Sequence, residues 1–506
     1  MTSPWRWIPT LYFGQGLPYV VVMTLSVVMY KNLGLDNTAI ALYTSWLYLP
    51  WVIKPLWSPL VDLLGTRRAW VVGLQFLVGA SLAGVALTLP LPAFFQMSLA
   101  VFWLMAFASA THDIAADGFY MMALKQHQQA AFVGIRSLFY RVSMIAGQGG
   151  LVYLAGHLAE TTGQVVLAWQ VVLGLLGLTF LLLFAWHRAV LPRPAEDRPH
   201  LRLGRGDAGP QMSGQAGQPA QPGQSSPPGP QPATASALWS GFVETFVTFF
   251  RRRDIALVLA FLLLFRLGEA QLVKLLAPFL LDPRTQGGLG LSTAQLGIAY
   301  GTFGVAALTL GGVLGGLTIS RFGLKRCLWP MVAAIHTPNL LYVALALWQP
   351  DSLALVTAAV AAEQLGYGFG FAAYLMFMIH VAEGPQKAPG RPKPSDAPSG
   401  ARDGQSPDRG GQHKTAHYAL CTGFMALGMM LPGMVSGWLQ QQMGYTAFFI
   451  WVCVATLPSV AVAAMLKIPP EFGRKQEEAD ASATAPSQAV TGTPPIAPSS
   501  ASSPKS

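Results

Sequence analysis

The stretch SPLVDLLGTRR, residues 58–68, returns in altered form as GLTISRFGLKR at residues 316–326. Aligned without gaps, Gly65 falls on Gly323, and the pair Arg67–Arg68 falls on Lys325–Arg326. Each copy follows the second long apolar run of its half. A basic turn alone would explain the paired cations but not the shared register, so the chain reads as two related units. Glycine permits a tight turn at the matched position. Asp62 lies near a helix end, where a cation or the helix dipole offers it a partner.

The surroundings of these loops set the class. Of 506 residues, 52% are hydrophobic and only 11% charged, where a soluble chain averages about a quarter charged. A hydrocarbon core of about 30 Å needs roughly 20 apolar residues per helix. Twelve runs of that size occur, near 5–29, 38–62, 69–89, 93–123, 131–157 and 164–187, then 255–281, 294–318, 327–348, 352–380, 415–440 and 445–466. They are continuously apolar rather than alternating, which excludes a barrel of short strands. The fold class expected is an all-α membrane protein, twelve helices in two pseudo-symmetric bundles of six.

Orientation follows from the cations. With the N-terminus inside, the inner loops carry Arg67, Arg68, Lys125, Arg251 to Arg253, Arg321, Lys325, Arg326, Lys414, Arg474 and Lys475. The outer loops carry little beyond Lys31 and Arg284. That asymmetry predicts a multi-pass protein with both termini cytoplasmic. The net charge of +10 then reports topology and anionic lipid headgroups, not nucleic acid. Residues near the N-terminus read as a first span rather than a cleaved signal. The three cysteines form no spacing motif and read as packing residues.

Composition divides the chain. Residues 1–188 form the expected N-terminal bundle and 239–467 the C-terminal one. Between them, 189–238 is rich in Pro, Gly, Gln and Ser, too poor in apolar surface to fold, and reads as a disordered cytoplasmic linker. A flexible cytoplasmic loop is expected at 384–413 and a disordered cytoplasmic tail at 468–506. Duplicated halves related by an axis along the membrane normal are a transporter architecture.

The repeated loop resembles the signature loop of the major facilitator superfamily. Asp62 and Gly65 match it, with Ser58 for the leading Gly and Leu63 for the first basic residue. The second copy keeps Gly316, Arg321 and Gly323, with Ser320 in place of the acid. The resemblance implies a gating loop made of Asp62, Gly65, Arg67, Arg68, Arg321, Gly323, Lys325 and Arg326.

Ionisable residues inside spans cost roughly 2.5–3.5 kcal/mol each on insertion scales and mark functional positions. Here they are Lys54, Asp113, Asp117, Arg136, Arg141, Arg266, Glu269, Lys274 and Glu363. Asp113 and Asp117 are four apart and share a helix face. The fourth and fifth runs form a hairpin centred near 127–128, so reflection sets Asp113 level with about 142 and Asp117 with about 138. Arg141 and Arg136 are the expected partners. Arg266 and Glu269, three apart, are expected to pair along one helix. Glu269 lies about halfway along its run, near the midplane at about 1.5 Å of rise per residue, and Glu363 lies at similar depth. Asp113, Asp117, Glu269 and Glu363 are the proton-coupling candidates, and purely architectural pairing is the competing reading. Lys54, Arg136, Arg141, Arg266, Lys274, Trp46 and Tyr140 are the substrate-binding candidates.

Other patterns read as structural. GYGFG (366–370) follows no strand, so it is no dinucleotide loop; with GGVLGG (311–316) and GQGG (147–150) it reads as close helix packing. His112 beside Asp113 has no further ligand in register, so no metal site is expected. Trp46, Trp51 and Trp57 read as packing or interfacial aromatics, with stacking on a sugar face as the alternative.

Four stretches narrow the family. GQGLPY (14–19), LPWVIKPLWSPLVD (49–62), THDIAADGF (111–119) and APFLLD (277–282) resemble AmpG-type permeases, to which acetyl-CoA transporters are distantly related. HYAL (417–420) adds a weaker match. The resemblance implies a proton-coupled importer of peptidoglycan fragments, anhydromuropeptide or amino-sugar disaccharide, in the bacterial inner membrane. It places Lys54, Asp113 and Asp117 in the family's motifs. His112 replaces the family's usual Gln, and the loops at 189–238 and 384–413 are long. The implied partners are a small-molecule substrate and membrane lipid, with the protein a monomer, no cofactor beyond the proton gradient, and no catalytic residues. Another anionic solute, an oligosaccharide or acyl-CoA-like compound, is the alternative cargo. A membrane sensor or a lipid-linked glycosyltransferase is the alternative outside transport, the latter disfavoured by short outer loops.

Overall fold

A computed structural model describes residues 3–195, 197, 243, 244, 246–383 and 409–474. Most of the expected linker and flexible loop, and most of the tail, lie outside them. The described elements are helical. Span one is Pro4–Asn32. Span two is Asn37–Trp46 followed by Leu49–Leu63. Spans three and four are Arg67–Thr88 and Phe94–Ala123. Span five joins Gln126–Ile145 to Val152–Thr162 through a π-helical turn, and span six is Val165–Val190.

Span seven is Ile255–Leu264 and Leu267–Leu281, span eight Thr293–Phe322, span nine Leu324–Trp348 and span ten Leu353–Glu383. Helix Arg409–Val454 breaks at Gly444, whose φ of 76° separates span eleven from span twelve, which continues through Leu457–Met465. Among the described residues, nine segments are apolar and long enough to cross a membrane unaided, and the last of these, His417–Met465, holds two spans. Spans two and five complete the twelve. They carry Lys54, Arg136 and Arg141, which lower their mean hydropathy.

Two ends of the bundle differ. At the end carrying the 33–36 turn, one apolar core joins both halves, with Leu25, Met29 and Ile40 packed in the same cluster as Leu276, Phe279 and Phe448. At the end carrying the termini each half keeps its own core. Trp7, Phe119 and Leu191 belong to one, and Phe261, Phe377 and Val462 to the other.

Polar contacts follow the same division. Among the described residues, the inter-half hydrogen bonds run from 32–44 to 274–293 and 440–445. The bundle is shut at this closed end, and its two halves separate towards the open end.

Glycine makes the closure tight. A Cβ at Gly437 on span eleven would lie 2.0 Å from the Asn37 carbonyl on span two. One at Gly301 on span eight would lie 1.9 Å from the Gln148 carbonyl on span five. The glycine motifs of spans eight and ten pack likewise, as a Cβ at Gly311 would meet the Leu365 carbonyl at 2.1 Å.

Candidate functional site

The acids of span four meet spans one, two and five of their own half. Trp51 donates its indole N–H to Asp113 Oδ2 at 3.1 Å, and Lys54 Nζ stands 3.8 Å from the same oxygen. Pro50 and Pro55 flank this turn of span two. Trp51 and Lys54, three apart on one helix, therefore reach Asp113 together. Tyr19 packs edge-on against Trp51, centroids 5.4 Å apart. Three separate stretches, 14–19, 49–62 and 111–119, thus meet at one carboxylate.

One turn along, Arg136 Nη2 donates to Asp117 Oδ1 at 2.9 Å, and Tyr12 OH donates to the same oxygen at 3.2 Å. The guanidinium lies over the Tyr12 and Tyr120 rings, 4.5 and 5.1 Å from their centroids. The Asp117–Arg136 pairing expected from the hairpin is present. The Asp113–Arg141 pairing is not. Arg141 points to the Met144 sulfur at 3.9 Å, because matched depth on two helices does not fix which face each residue occupies. Tyr140 lies within electrostatic reach of Tyr19 and Asp113. Trp46 is 39% exposed at the end of its helix, away from the Trp51 contact.

The signature loop reaches into this region. Arg67 Nη1 donates to the Gly118 carbonyl at 2.9 Å, with the guanidinium packed against the glycine, where a Cβ would lie 2.9 Å from its carbon and push it aside. Asp197 caps the start of span three, accepting from the Arg67 and Arg68 amides at 2.7 and 3.0 Å. Arg68 reaches back to the Leu191 and Arg188 carbonyls at the end of span six.

Gly65 and Gly323 both adopt positive φ, 91° and 82°, and so share the turn that the repeat implies. Leu324 N bonds the Phe472 carbonyl at 2.9 Å, and Arg321 lies over Phe322. Lys325 and Arg326 are exposed. The Asp62 side chain lies outside the described residues.

His112 turns the other way, into the bundle. Its Nε2 meets Gln75 Nε2 at 3.2 Å, Gln75 Oε1 meets His187 Nδ1 at 2.8 Å, and His187 Nε2 meets Thr10 Oγ1 at 2.9 Å.

The second half buries its charges more deeply. Arg266 donates to the Tyr367 hydroxyl and lies over the Tyr367 and Phe371 rings at 5.3 and 4.9 Å. Glu269 is fully buried, and neither carboxyl oxygen has a hydrogen-bond partner. The expected Arg266–Glu269 pair is therefore absent. Span seven breaks at Phe265–Arg266, where Arg266 takes φ −109° and ψ 19°, so the three-residue spacing does not bring the two onto one helical face. Glu363 Oε2 accepts from Tyr342 OH at 3.0 Å and Gln364 Nε2 at 2.9 Å. Lys274, 3% exposed, donates to Thr44 Oγ1 at 2.9 Å and lies 5.2 Å from the Tyr48 centroid.

Sequence reasoning missed the aromatic and hydroxyl partners Tyr12, Tyr19, Thr44, Tyr48, Tyr342 and Tyr367. Tyr19 closes the quoted GQGLPY stretch and was available as a signal; the others carry no local mark. It also missed Asn37, whose amide donates towards Gln440 Oε1, Tyr445 OH and Asp282 Oδ2 at 2.8, 2.9 and 3.2 Å.

The sequence matches the Major Facilitator Superfamily over residues 10–391. It is 24% identical over 479 residues to the anhydromuropeptide permease of Escherichia coli K12, covering 92% of this chain and 80% of that one. It is 21% identical to the putative transporter AmpG 4 of Rickettsia conorii, covering 88% and 92%. The fold is similar to that of the nucleoside transporter NupG, with TM-score 0.58 and 15% identity, covering 92% of this chain and all of that one. With its duplicated loop, twelve spans and AmpG-like motifs, the chain belongs to the Major Facilitator Superfamily.

Proposed function

We propose that the protein imports peptidoglycan fragments, anhydromuropeptide or an amino-sugar disaccharide, across the bacterial inner membrane, driven by protons. In this reading both termini are cytoplasmic and the protein acts as a monomer. The closed end then faces outside, the open end faces the cytoplasm, and the conformer is the one that releases cargo. Alternating access follows from rocking of the halves about the central charges.

The observation that supports this reading most is the convergence of the AmpG-like stretches on Asp113, through Trp51, Lys54 and Tyr19. A muropeptide carries carboxylates suited to Lys54, Arg141 or Arg266, and sugar faces suited to Trp51 and Tyr19. Coupling is assigned first to Glu269, whose buried carboxyl oxygens have no hydrogen-bond partner. An unpaired buried carboxylate is costly, and a bound proton removes that cost. Asp117 serves instead to hold Arg136, with Tyr12.

Uptake of labelled anhydromuropeptide by a permease-deficient strain expressing this chain, with and without an uncoupler, tests the reading. Uncoupler-sensitive accumulation is expected. Absence of uptake sinks the cargo, and uncoupler-insensitive uptake sinks the coupling. Accumulation of an oligosaccharide or acyl-CoA-like anion instead would transfer the same machinery to that solute.

A further inference from the structure

Lys274 sits where the two halves touch. At about 1.5 Å per residue it lies about 12 Å along span seven from Asp282, beneath the polar contacts of the closed end. Among the described residues, no carboxylate lies within ion-pair distance of its ammonium. Its contacts are the Thr44 hydroxyl at 2.9 Å and the Tyr48 ring at 5.2 Å, both on span two of the opposite half. Thr44 gives its own proton to the Ile40 carbonyl at 2.6 Å, so its oxygen is free to accept from the lysine. The neighbouring Ser45 hydroxyl is buried without a partner. Tyr48 is one turn from Trp51, so the ammonium borders the wall that holds Asp113.

A buried cation held only by a hydroxyl and a ring face is under-compensated, and the compensation it has belongs to the half that must move. When the closed end opens, Thr44 and Tyr48 leave with span two and the ammonium faces the cavity. The geometry points to Lys274 as the residue that reads a carboxylate on the cargo. It binds that group when the closed end is open and surrenders it when Thr44 and Tyr48 take the ammonium back. This rests on the transport reading above and adds to it a specificity for anionic cargo and a means of release. Swapping the anion for a neutral hydroxyl on the same ammonium lowers affinity as the halves close, without a separate gate.

The experiment compares uptake of anhydromuropeptide with uptake of the same compound carrying amidated carboxyls. Wild type is expected to prefer the acid by about tenfold or more in KM, the worth of a charge-assisted hydrogen bond. Lys274→Gln is expected to lose that preference, read as the acid-to-amide ratio of KM within the variant, and Lys274→Arg to restore part of it. An unchanged acid-to-amide ratio in Lys274→Gln overturns the assignment.

Should Lys274→Gln fail to insert, Thr44→Val decides. It removes the partner that takes the ammonium back, so acid is expected to bind more tightly from the open end in inside-out vesicles. Unaltered or weaker binding there counts against the assignment. If wild type takes up neither form, the muropeptide reading fails on its own. Lys274 is then tested on purified protein by binding muramic acid against its amide, and equal binding overturns it.

Discussion

Asp282 and Lys31 bring opposite charges to 2.5 Å across the boundary between the two halves. Tyr445 OH donates to the same carboxylate at 2.6 Å, while Lys31 also donates to Asn37 Oδ1 at 2.8 Å. Spans one, two, seven and twelve are thereby tied at one point. Asp282 ends the APFLLD stretch, so that motif serves closure rather than the cavity.

Asp282→Asn should loosen the closed end. Breaking a buried pair costs about 3–5 kcal/mol because one charge is left behind, and the two side chains are only 15% and 6% exposed. A cysteine in place of Tyr48, beneath the seal, should become reactive to an impermeant reagent applied from outside, in a background with Cys327, Cys421 and Cys453 replaced by serine. Equal labelling rates with and without Asp282→Asn would remove this contact from the closure.

Gly437→Ala should prop the same end open without unfolding either half. Its Cβ would meet the Asn37 carbonyl at 2.0 Å, a backbone atom that cannot rotate aside. Counterflow should fall severalfold while expression and monodispersity hold. Gly73→Ala, which has nothing within 4 Å, is the control and should transport normally. Normal counterflow in Gly437→Ala would mean that spans two and eleven need not approach this closely.

Asp117→Asn should separate function from stability. Asp117 and Arg136 are 38% and 28% exposed, so their attraction is worth about 0–1 kcal/mol and the melting temperature should move by no more than a few degrees. Uptake should nevertheless drop, because Arg136 loses a carboxylate that fixes it over Tyr12. A large melting shift with unchanged uptake would assign the pair to architecture.

Glu269→Gln keeps the shape and removes the ionisable proton. Accumulation against a gradient should be lost while substrate exchange persists, read by parallel uptake and counterflow in proteoliposomes. The variant should melt no lower than wild type, since an amide lacks the charge that is costly to bury. Retained accumulation would pass the coupling role to Glu363, whose Oε1 is also unpartnered.

The apolar runs made the twelve spans legible, and the loop repeat made the two halves legible, because both signals are local in sequence. Depth was legible too. The hairpin reflection matched Asp117 to Arg136, since rise per residue is nearly constant. Azimuth was not, and Asp113 took its partners from span two. Arg266 and Glu269 failed for a different reason: the helix breaks at Phe265–Arg266, where Phe265 packs against His336 and Tyr374 of its own half, and no Pro or Gly marks that position. The closed-end cluster of Asn37, Gln440 and Tyr445 joins residues about 400 positions apart, and single-sequence spacing carries no information at that range.

The cap that Asp197 places on the first turn of span three has a practical meaning for dissection. The first bundle ends with its own helix start satisfied and its last carbonyls held by Arg68, so it does not depend on downstream chain for those groups. A gene cut shortly beyond Asp197 should therefore yield two polypeptides that insert separately and reassemble. Such a split carrier would let one half be labelled, deuterated or mutagenised while the other stays native.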